Sequence, residues 1–411
     1  MSYAKALKCR ACGKEYPLEP IYVCEYCFGP VEVIYDYERL AKNISHEIIA
    51  KGPLSSWRYI DFLPVDGEPV DINPGFTPLI RARNLGEVLG LDNLYLKNDC
   101  VNPTYSYKDR VVSVAATKAR EFGFKALACA STGNLAGSVA AHAARAGMQA
   151  YVFIPADLEK EKILGAAVYG PKVVAVNGNY DDVNRLCSEL VEIYPWAFVN
   201  INIRPYYAEG CKTMAYEIAE QLGWHAPDHV IVPVASGSLH NKIWKGFKEL
   251  KTVGLIGALK THMHVTQGEG SSPIVTAFHS GSPHINPVKP KTIAKSLAIG
   301  NPADGIFAVR ASKESSGSAV ASSDSEIIEG MKLLAQTEGI FGETAGGVVI
   351  AGLKKLVKQG LIPRNEEVVA LITGCGLKTL EAIASAVPDP ITIQPTMVSF
   401  NEKIGKYLNN K

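Results

Sequence analysis

Residues 126–155 read ALACASTGNLAGSVAAHAARAGMQAYVFIP, and this stretch decides the fold. ALACAS is a short apolar run of strand length. STGNLAGSVAAHAARAG is helix-like and ends on Gly147, a residue suited to a helix C-terminus. AYVFIP then returns to an apolar strand. The same alternation continues outward in both directions. Upstream, LYLK (94–97) is strand-like and KDRVVSVAATKAREFG (108–123) is helix-like, ending on Gly123. Downstream come a helix at 159–170, a strand at KVVAVNG (172–178), a helix at 180–194 and a strand at WAFVN (196–200). A second run starts with the helix KTMAYEIAEQLG (212–223) and the strand HVIVPVA (229–235), and closes with EVVALITGCG (367–376). Apolar strands alternating with helices indicate βαβ units on a parallel sheet. Residues 268–325 are rich in Gly, Ser and Pro, and their weak periodicity assigns no elements.

At 411 residues the chain is too long for one ordinary core, so two α/β domains and a small appendage are expected. The divisions expected are a four-cysteine segment at 1–40, an irregular wrapping segment at 41–94 that belongs to the larger domain, a smaller α/β domain at 95–200, a larger one at 201–395 and a tail at 396–411. Between residues 42 and 78, Gly and Pro dipeptides punctuate the chain, while Trp57, Tyr59, Phe62 and Phe76 need a surface to bury against.

Hydrophobic residues make up 47% and charged residues 20%, the composition of a globular protein. With 42 basic and 41 acidic residues the net charge is +1, which supplies no footprint for nucleic acid or an acidic membrane surface. No apolar run of about 18 residues or more is present, so no membrane span is expected. The first residues, MSYAKALKCRACGKEY, lack a signal-peptide pattern. Of nine cysteines, four cluster near the N-terminus and five are scattered singly, as in LACAS. Reduced thiols and a cytoplasmic location are therefore expected.

Five short segments carry chemistry. Cys9, Cys12, Cys24 and Cys27 form two C-x2-C pairs that can set four thiolates around a structural Zn2+, with no position left open for catalysis. Two disulfides or a vestigial site would use the same residues. Lys108, in NPTYSYKDR (102–110), opens a helix after a polar loop; the positive helix end favours its neutral, nucleophilic amine. ASTGN (130–134) turns from strand to helix, where backbone N–H groups and two hydroxyls suit a carboxylate, or simply a Ser/Thr helix cap. ASGSL (235–239) offers the same kind of turn for a phosphate ester, without the pattern of a nucleoside triphosphate loop. TGCGLK (373–378) places Thr373 at the C-terminal end of a strand, where ligands bind parallel sheets.

In this order the segments resemble the pyridoxal-phosphate enzymes of the tryptophan-synthase-β fold (fold type II). NPTxSxKDR, ACASTGN and LITGxGLK together are most similar to the threonine synthases, over residues 72–380. The resemblance implies pyridoxal 5'-phosphate carried as a Schiff base on Lys108, with Asn134 on its 3-oxygen and Ser236, Gly237, Ser238 and Leu239 around its phosphate. Thr373 would meet its ring nitrogen. Ser131, Thr132 and Gly133 would hold the substrate carboxylate, and Arg204 and Lys212 the substrate phosphate. The reaction implied is conversion of O-phospho-L-homoserine and water to L-threonine and phosphate, by a cytoplasmic homodimer that binds no nucleic acid or membrane. Two departures stand out. Tyr105 and Tyr107 replace the commoner Gly and Phe of the lysine loop, and ASGSL is poorer in Gly and Asn than the usual phosphate loop. Another enzyme of the fold, such as a cysteate or cysteine synthase-like β-replacement enzyme or a threonine dehydratase, is the alternative within this class. A zinc-ribbon interaction or nucleic-acid protein with an inactive enzyme-like body is the alternative outside it.

Overall fold

The structure, a computed structural model, describes residues 2–131, 133–156, 160–178 and 180–408. Its strands, in chain order, are β1 (Ala4–Cys9), β2 (Glu15–Tyr16), β3 (Val31–Tyr35), β4 (Leu79–Arg81), β5 (Asn93–Asn98), β6 (Ala126–Ala130), β7 (Gln149–Pro155), β8 (Lys172–Val176), β9 (Ala197–Phe198), β10 (His229–Pro233), β11 (His262–Gly268), β12 (Ala319–Ser322) and β13 (Glu367–Ile372). They make three sheets.

The smallest sheet, ordered β2-β1-β3, is antiparallel. Its β3 reads VEVIY with Val31, Val33 and Tyr35 buried, the period-two pattern of a strand with one covered face. A four-stranded sheet, β8-β7-β6-β9, is parallel throughout. A six-stranded sheet, β12-β11-β10-β13-β5-β4, is parallel except at β4. Strands β6 and β10 are buried along their whole length, because a parallel sheet carries helices on both faces and an apolar residue is stable on either side.

The helix Lys108–Glu121 leaves β5 and leads into β6, and so joins the two large sheets. A buried ion cluster fixes its first turn. Arg110 donates through Nε to Asp99 at 2.7 Å and through Nη2 to Glu217 at 2.8 Å, and Lys97 pairs with Glu217 at 2.6 Å. Arg110 reaches Ser56, Thr77 and Thr213 as well, so β5, the Lys108 helix and the helix Lys212–Gln221 are locked together. Removing one member would strand a buried charge, at a cost of about 3–5 kcal/mol.

Two expectations need correcting. A division at residue 95 falls inside β5, which hydrogen-bonds to β13 in the six-stranded sheet from Asn93 to Asn98. The boundary has to lie beyond that strand, because its ladder bonds belong to the larger sheet. Residues 268–325, left unassigned, contain the helices Pro273–Ser280 and Gly305–Glu314 and the strand β12. Each is short, and their Gly- and Ser-rich flanks hide the periodicity. In the irregular segment, Trp57, Tyr59 and Phe62 are buried in a 3-10 helix, Ser56–Phe62, and Trp57 donates to Ser113 of the Lys108 helix at 3.1 Å. No described helix is long and apolar enough to cross a membrane.

Candidate functional site

The chemistry-bearing loops follow the C-terminal ends of β5, β6, β10 and β13, where the last backbone groups of parallel strands face no further ladder partner. Lys108 opens its helix with Nζ inside the protein, donating to the hydroxyls of Tyr107 at 2.8 Å and Tyr207 at 3.1 Å. Burial opposes the ammonium charge, but the two phenol oxygens outweigh it and hold the amine above the ordinary lysine value. Burial raises both tyrosines in turn, so they act as neutral hydroxyls.

The lysine loop is pinned to the end of β13. Tyr107 N–H donates to the Thr373 carbonyl at 2.9 Å, Ser106 bridges Gly374, and Cys375 N–H donates to the Tyr105 carbonyl at 3.0 Å. Tyr105 departs from the usual glycine yet keeps φ at +62°, the backbone region glycine favours. Its side chain is exposed, so the substitution does not fill the loop's interior.

Asn134 joins the same network. Its amide donates to both Glu343 oxygens, at 2.9 and 3.1 Å, and its carbonyl oxygen accepts from Lys378 Nζ at 2.9 Å. Glu343 N–H donates to the Gly374 carbonyl at 2.9 Å, and Lys378 also donates to the Thr104 carbonyl. Burial pushes the Glu343 carboxyl up and the Lys378 amine down, and the charge of each partly offsets the other's shift. Lys108, Asn134 and Thr373 are thereby brought into one hydrogen-bonded set. Sequence reasoning missed Glu343. It precedes the helix Thr344–Lys358 in GETAGG, without the strand-then-helix turn that marked the other loops.

Gly133 caps the helix Asn134–Ala146 with no side-chain hydrogen bond, so the plain Ser/Thr cap is not what is found there. Gly133 N–H instead lies 3.3 Å from Ser131 Oγ, and Ser131 is buried. Thr132 lies outside the described residues.

Gly237 caps the helix Ser238–Thr252 at φ +99°, again without a side-chain bond. A Cβ there would stand 2.7 Å from the Asp304 carbonyl oxygen, so glycine is required for space as well as for conformation. Ser236, Gly237, Ser238 and Leu239 therefore form a tight turn at a helix N-terminus, the geometry of an anion cradle.

The two proposed substrate-phosphate residues differ in setting. Arg204 is a quarter exposed and pairs through Nη2 with Asp304, beside that cradle. Lys212 is fully buried. It donates to the Phe62 carbonyl at 2.9 Å and pairs with Glu209 at 2.6 Å and Glu249 at 3.1 Å. All three ammonium hydrogens are used inside the fold, so Lys212 is a structural residue and not a ligand-binding one.

At the other end of the chain the four cysteine sulfurs lie within 4.8 Å of one another, with Cys9–Cys27 at 3.5 Å and Cys12–Cys24 at 3.6 Å. Tetrahedral sulfur around zinc, at about 2.3 Å per bond, requires edges of about 3.8 Å, so the residues fit the ion. Burial raises the Cys24 thiol, but the Tyr16 hydroxyl at 3.0 Å and backbone donors outweigh it and bring the group down to about 6.

Residues 70–374 match the family described as pyridoxal-phosphate dependent enzyme, and residues 8–32 match one described as NinF protein. The chain is 44% identical to a threonine synthase of Methanocaldococcus jannaschii, over 95% of this chain and 97% of that one. It is 40% identical to a threonine synthase of Methanosarcina acetivorans, over 97% and 98%. Among solved structures it resembles a threonine deaminase of Solanum lycopersicum (TM-score 0.61, 24% identity, 76% of this chain and 88% of that one). It also resembles an L-serine ammonia-lyase of Rhizomucor miehei (TM-score 0.65, 20% identity, 77% and 98%). At these identities the structural likeness speaks for the fold alone.

Proposed function

The chain belongs to the family of pyridoxal-phosphate dependent enzymes, and from that premise we propose that it works as a threonine synthase, converting O-phospho-L-homoserine and water to L-threonine and phosphate. The observation that carries the substrate is the extent of the match, since relatives of that name align along nearly the whole chain.

The residues present fit the cofactor: a half-buried amine at Lys108, a tight glycine turn at a helix start, and a buried threonine just after β13. Lys108 would hold it covalently, Ser236 to Leu239 would take its phosphate, Asn134 its 3-oxygen and Thr373 its ring nitrogen. When bound, pyridoxal phosphate supplies an electron sink that stabilises negative charge on the substrate carbon attached to it. A threonine hydroxyl at the ring nitrogen keeps that sink moderate, which suits expulsion of a leaving group.

The remaining work falls to side chains of this protein. Backbone N–H groups near Ser131 and Gly133 would bind and orient the substrate carboxylate at an uncapped helix start. Arg204, held at one nitrogen by Asp304, presents its other N–H groups to the departing phosphate. Lys108 Nζ would move the proton at the substrate α-carbon and then at its neighbours, with Tyr107 and Tyr207 fixing where the amine rests between transfers. Loss of phosphate from Cγ and addition of water at Cβ complete the balance. Structural zinc on the four cysteines, closure of a smaller α/β domain on a larger one, a homodimer and a cytoplasmic setting complete the proposal.

The test is to mix the purified protein with O-phospho-L-homoserine and measure both products. Equal amounts of threonine and phosphate are expected. A yellow protein that releases neither would overturn the substrate while leaving the cofactor in place, and phosphoserine would then be tried.

A further inference from the structure

Asp304 stands at the N-cap of the helix Gly305–Glu314, a position where aspartate ordinarily accepts hydrogen bonds from the first helical N–H groups. Here its side chain caps nothing. The carboxylate turns instead to two arginines, Arg204 and Arg10, with Arg10 Nη1 at 3.3 Å. The Asp304 backbone turns toward the phosphate loop. Its N–H donates to the Ser236 carbonyl at 3.0 Å, its own carbonyl accepts from Asn241 at 3.1 Å, and it closes off the space beside Gly237.

Arg10 comes from the four-cysteine knuckle, between Cys9 and Cys12, and its guanidinium lies 3.8 Å over the ring of Phe307 in the Asp304 helix. A planar guanidinium that both stacks and hydrogen-bonds is fixed in direction, which an ammonium would not be. A second connection runs in parallel. Glu32 on β3 pairs at 3.2 Å with Lys242, on the helix that starts at the phosphate loop, and Lys245 of that helix donates to the Val33 carbonyl. The knuckle thus grips both elements that shape the loop.

We propose that Arg10 and Asp304 are positioning residues for the cofactor phosphate, through which the four-cysteine knuckle braces the loop Ser236–Leu239 from behind. The proposal rests on the reading that this loop holds the phosphate. A loop poorer in glycine and asparagine than its family's usual one gains from an external brace, because its donors must be aimed before the anion arrives.

The experiment measures cofactor dissociation from the holoenzyme and the phosphorus-31 resonance of the bound phosphate. Asp304→Asn should raise the dissociation constant about tenfold and Arg10→Ala about fivefold, since Arg204 still holds Asp304 in the second variant. Both should shift or broaden the resonance, and Arg10→Lys should recover part of the loss. Tyr37→Phe serves as the control. It weakens the same docking face, where Tyr37 donates to Glu249 at 2.8 Å, without touching Asp304. It should lower the melting temperature and leave cofactor affinity unchanged. The brace is overturned if Arg10→Ala binds the cofactor as tightly as the parent with an unshifted resonance, or if Tyr37→Phe loosens the cofactor equally. Gly237→Val separates this failure from failure of the loop assignment. If it binds cofactor normally, the loop reading falls and the brace with it; if it loses cofactor while Arg10→Ala does not, the loop stands and the brace alone falls.

Discussion

The two ends of the six-stranded sheet are built from the same strands and do opposite things with polar groups. At the C-terminal ends of β10 and β13, small residues leave backbone donors uncapped, as at Gly237, and polar side chains converge around Lys108, Asn134 and Thr373. At the N-terminal ends the polar groups are closed on themselves. His229 opens β10, His262 opens β11 with His264 two residues on, and Glu366 precedes β13. Ser318 N–H donates to His264 Nδ1 at 3.1 Å, which leaves His264 Nε2–H to donate to His229 Nδ1 at 2.9 Å and His229 Nε2–H to donate to Glu366. These rings help line a cavity of about 420 Å³, yet the chain of donors and acceptors is complete along its length. A strand end that presents open donors serves a ligand, whereas one whose polar groups are mutually satisfied serves the fold. Substitutions at the two ends should therefore move different measurements.

The largest effect should come from Lys108→Ala. It removes the group proposed to hold the cofactor and to move the proton, so threonine formation should fall by about 10⁴-fold or more. The melting temperature should change little, because the side-chain hydrogen bonds lost among the described residues are two bonds to tyrosine hydroxyls and no ion pair. A variant with a tenth of the parent activity would break the comparison at its centre. Glu343→Gln comes next. The carboxylate is what orients the Asn134 amide, at 2.9 and 3.1 Å, and a neutral amide can turn the wrong atom toward it. We expect kcat/KM to drop about 100-fold with a shifted absorption maximum of the bound cofactor. An unshifted spectrum would make Glu343 a packing residue only.

How much of this was legible depended on sequence distance. Lys108, Asn134, the 236–239 loop and Thr373 each sit in a turn beside an apolar strand, so a local reading picks them out as candidates. Lys212 misled because two of its three partners, Glu249 and Phe62, are remote in sequence, and the nearby Glu209 alone does not tell a buried ion pair from an exposed one. Arg204 shows the same difficulty in milder form, since its partner Asp304 lies in the stretch that gave no periodicity. The division at 95 failed because β5 pairs with β13, more than 270 residues later, and strand pairing leaves no local signature. The parallel sheets were readable because burial on both faces makes their strands apolar throughout.

The closed end should reveal itself through pH. Burial, with His229, His262 and His240 nearby, holds His264 down to about 3, and burial lowers His229 despite Glu366. An unfolded histidine titrates near 6.5. Between those values the unfolded chain binds a proton that the folded one refuses, so stability falls as the pH drops below about 6.5. For His264 alone the loss at pH 5 is about 2 kcal/mol. Urea unfolding at pH 7.5 and pH 5 should show the parent losing that much more stability than His264→Gln, with equal kcat/KM at pH 7.5. Parallel losses in the two proteins would remove the histidines from the account.

The smallest effects offer the sharpest contrast, between two buried threonines at opposite ends. Thr261, just before β11, donates its hydroxyl to the Pro227 carbonyl at 2.6 Å, and Thr373 lies just after β13. Replacing either with valine removes one neutral hydrogen bond at nearly constant volume, worth about 1 kcal/mol. For Thr261→Val that energy should appear as lost stability in urea, with kcat/KM unchanged. For Thr373→Val it should appear as about a fivefold loss in kcat/KM, with stability unchanged, because the partner lost would be the cofactor ring and not the protein. If both variants lose stability alike and neither loses activity, Thr373 belongs with the closed end, and the division between the two ends of the sheet fails at the strand that defines it.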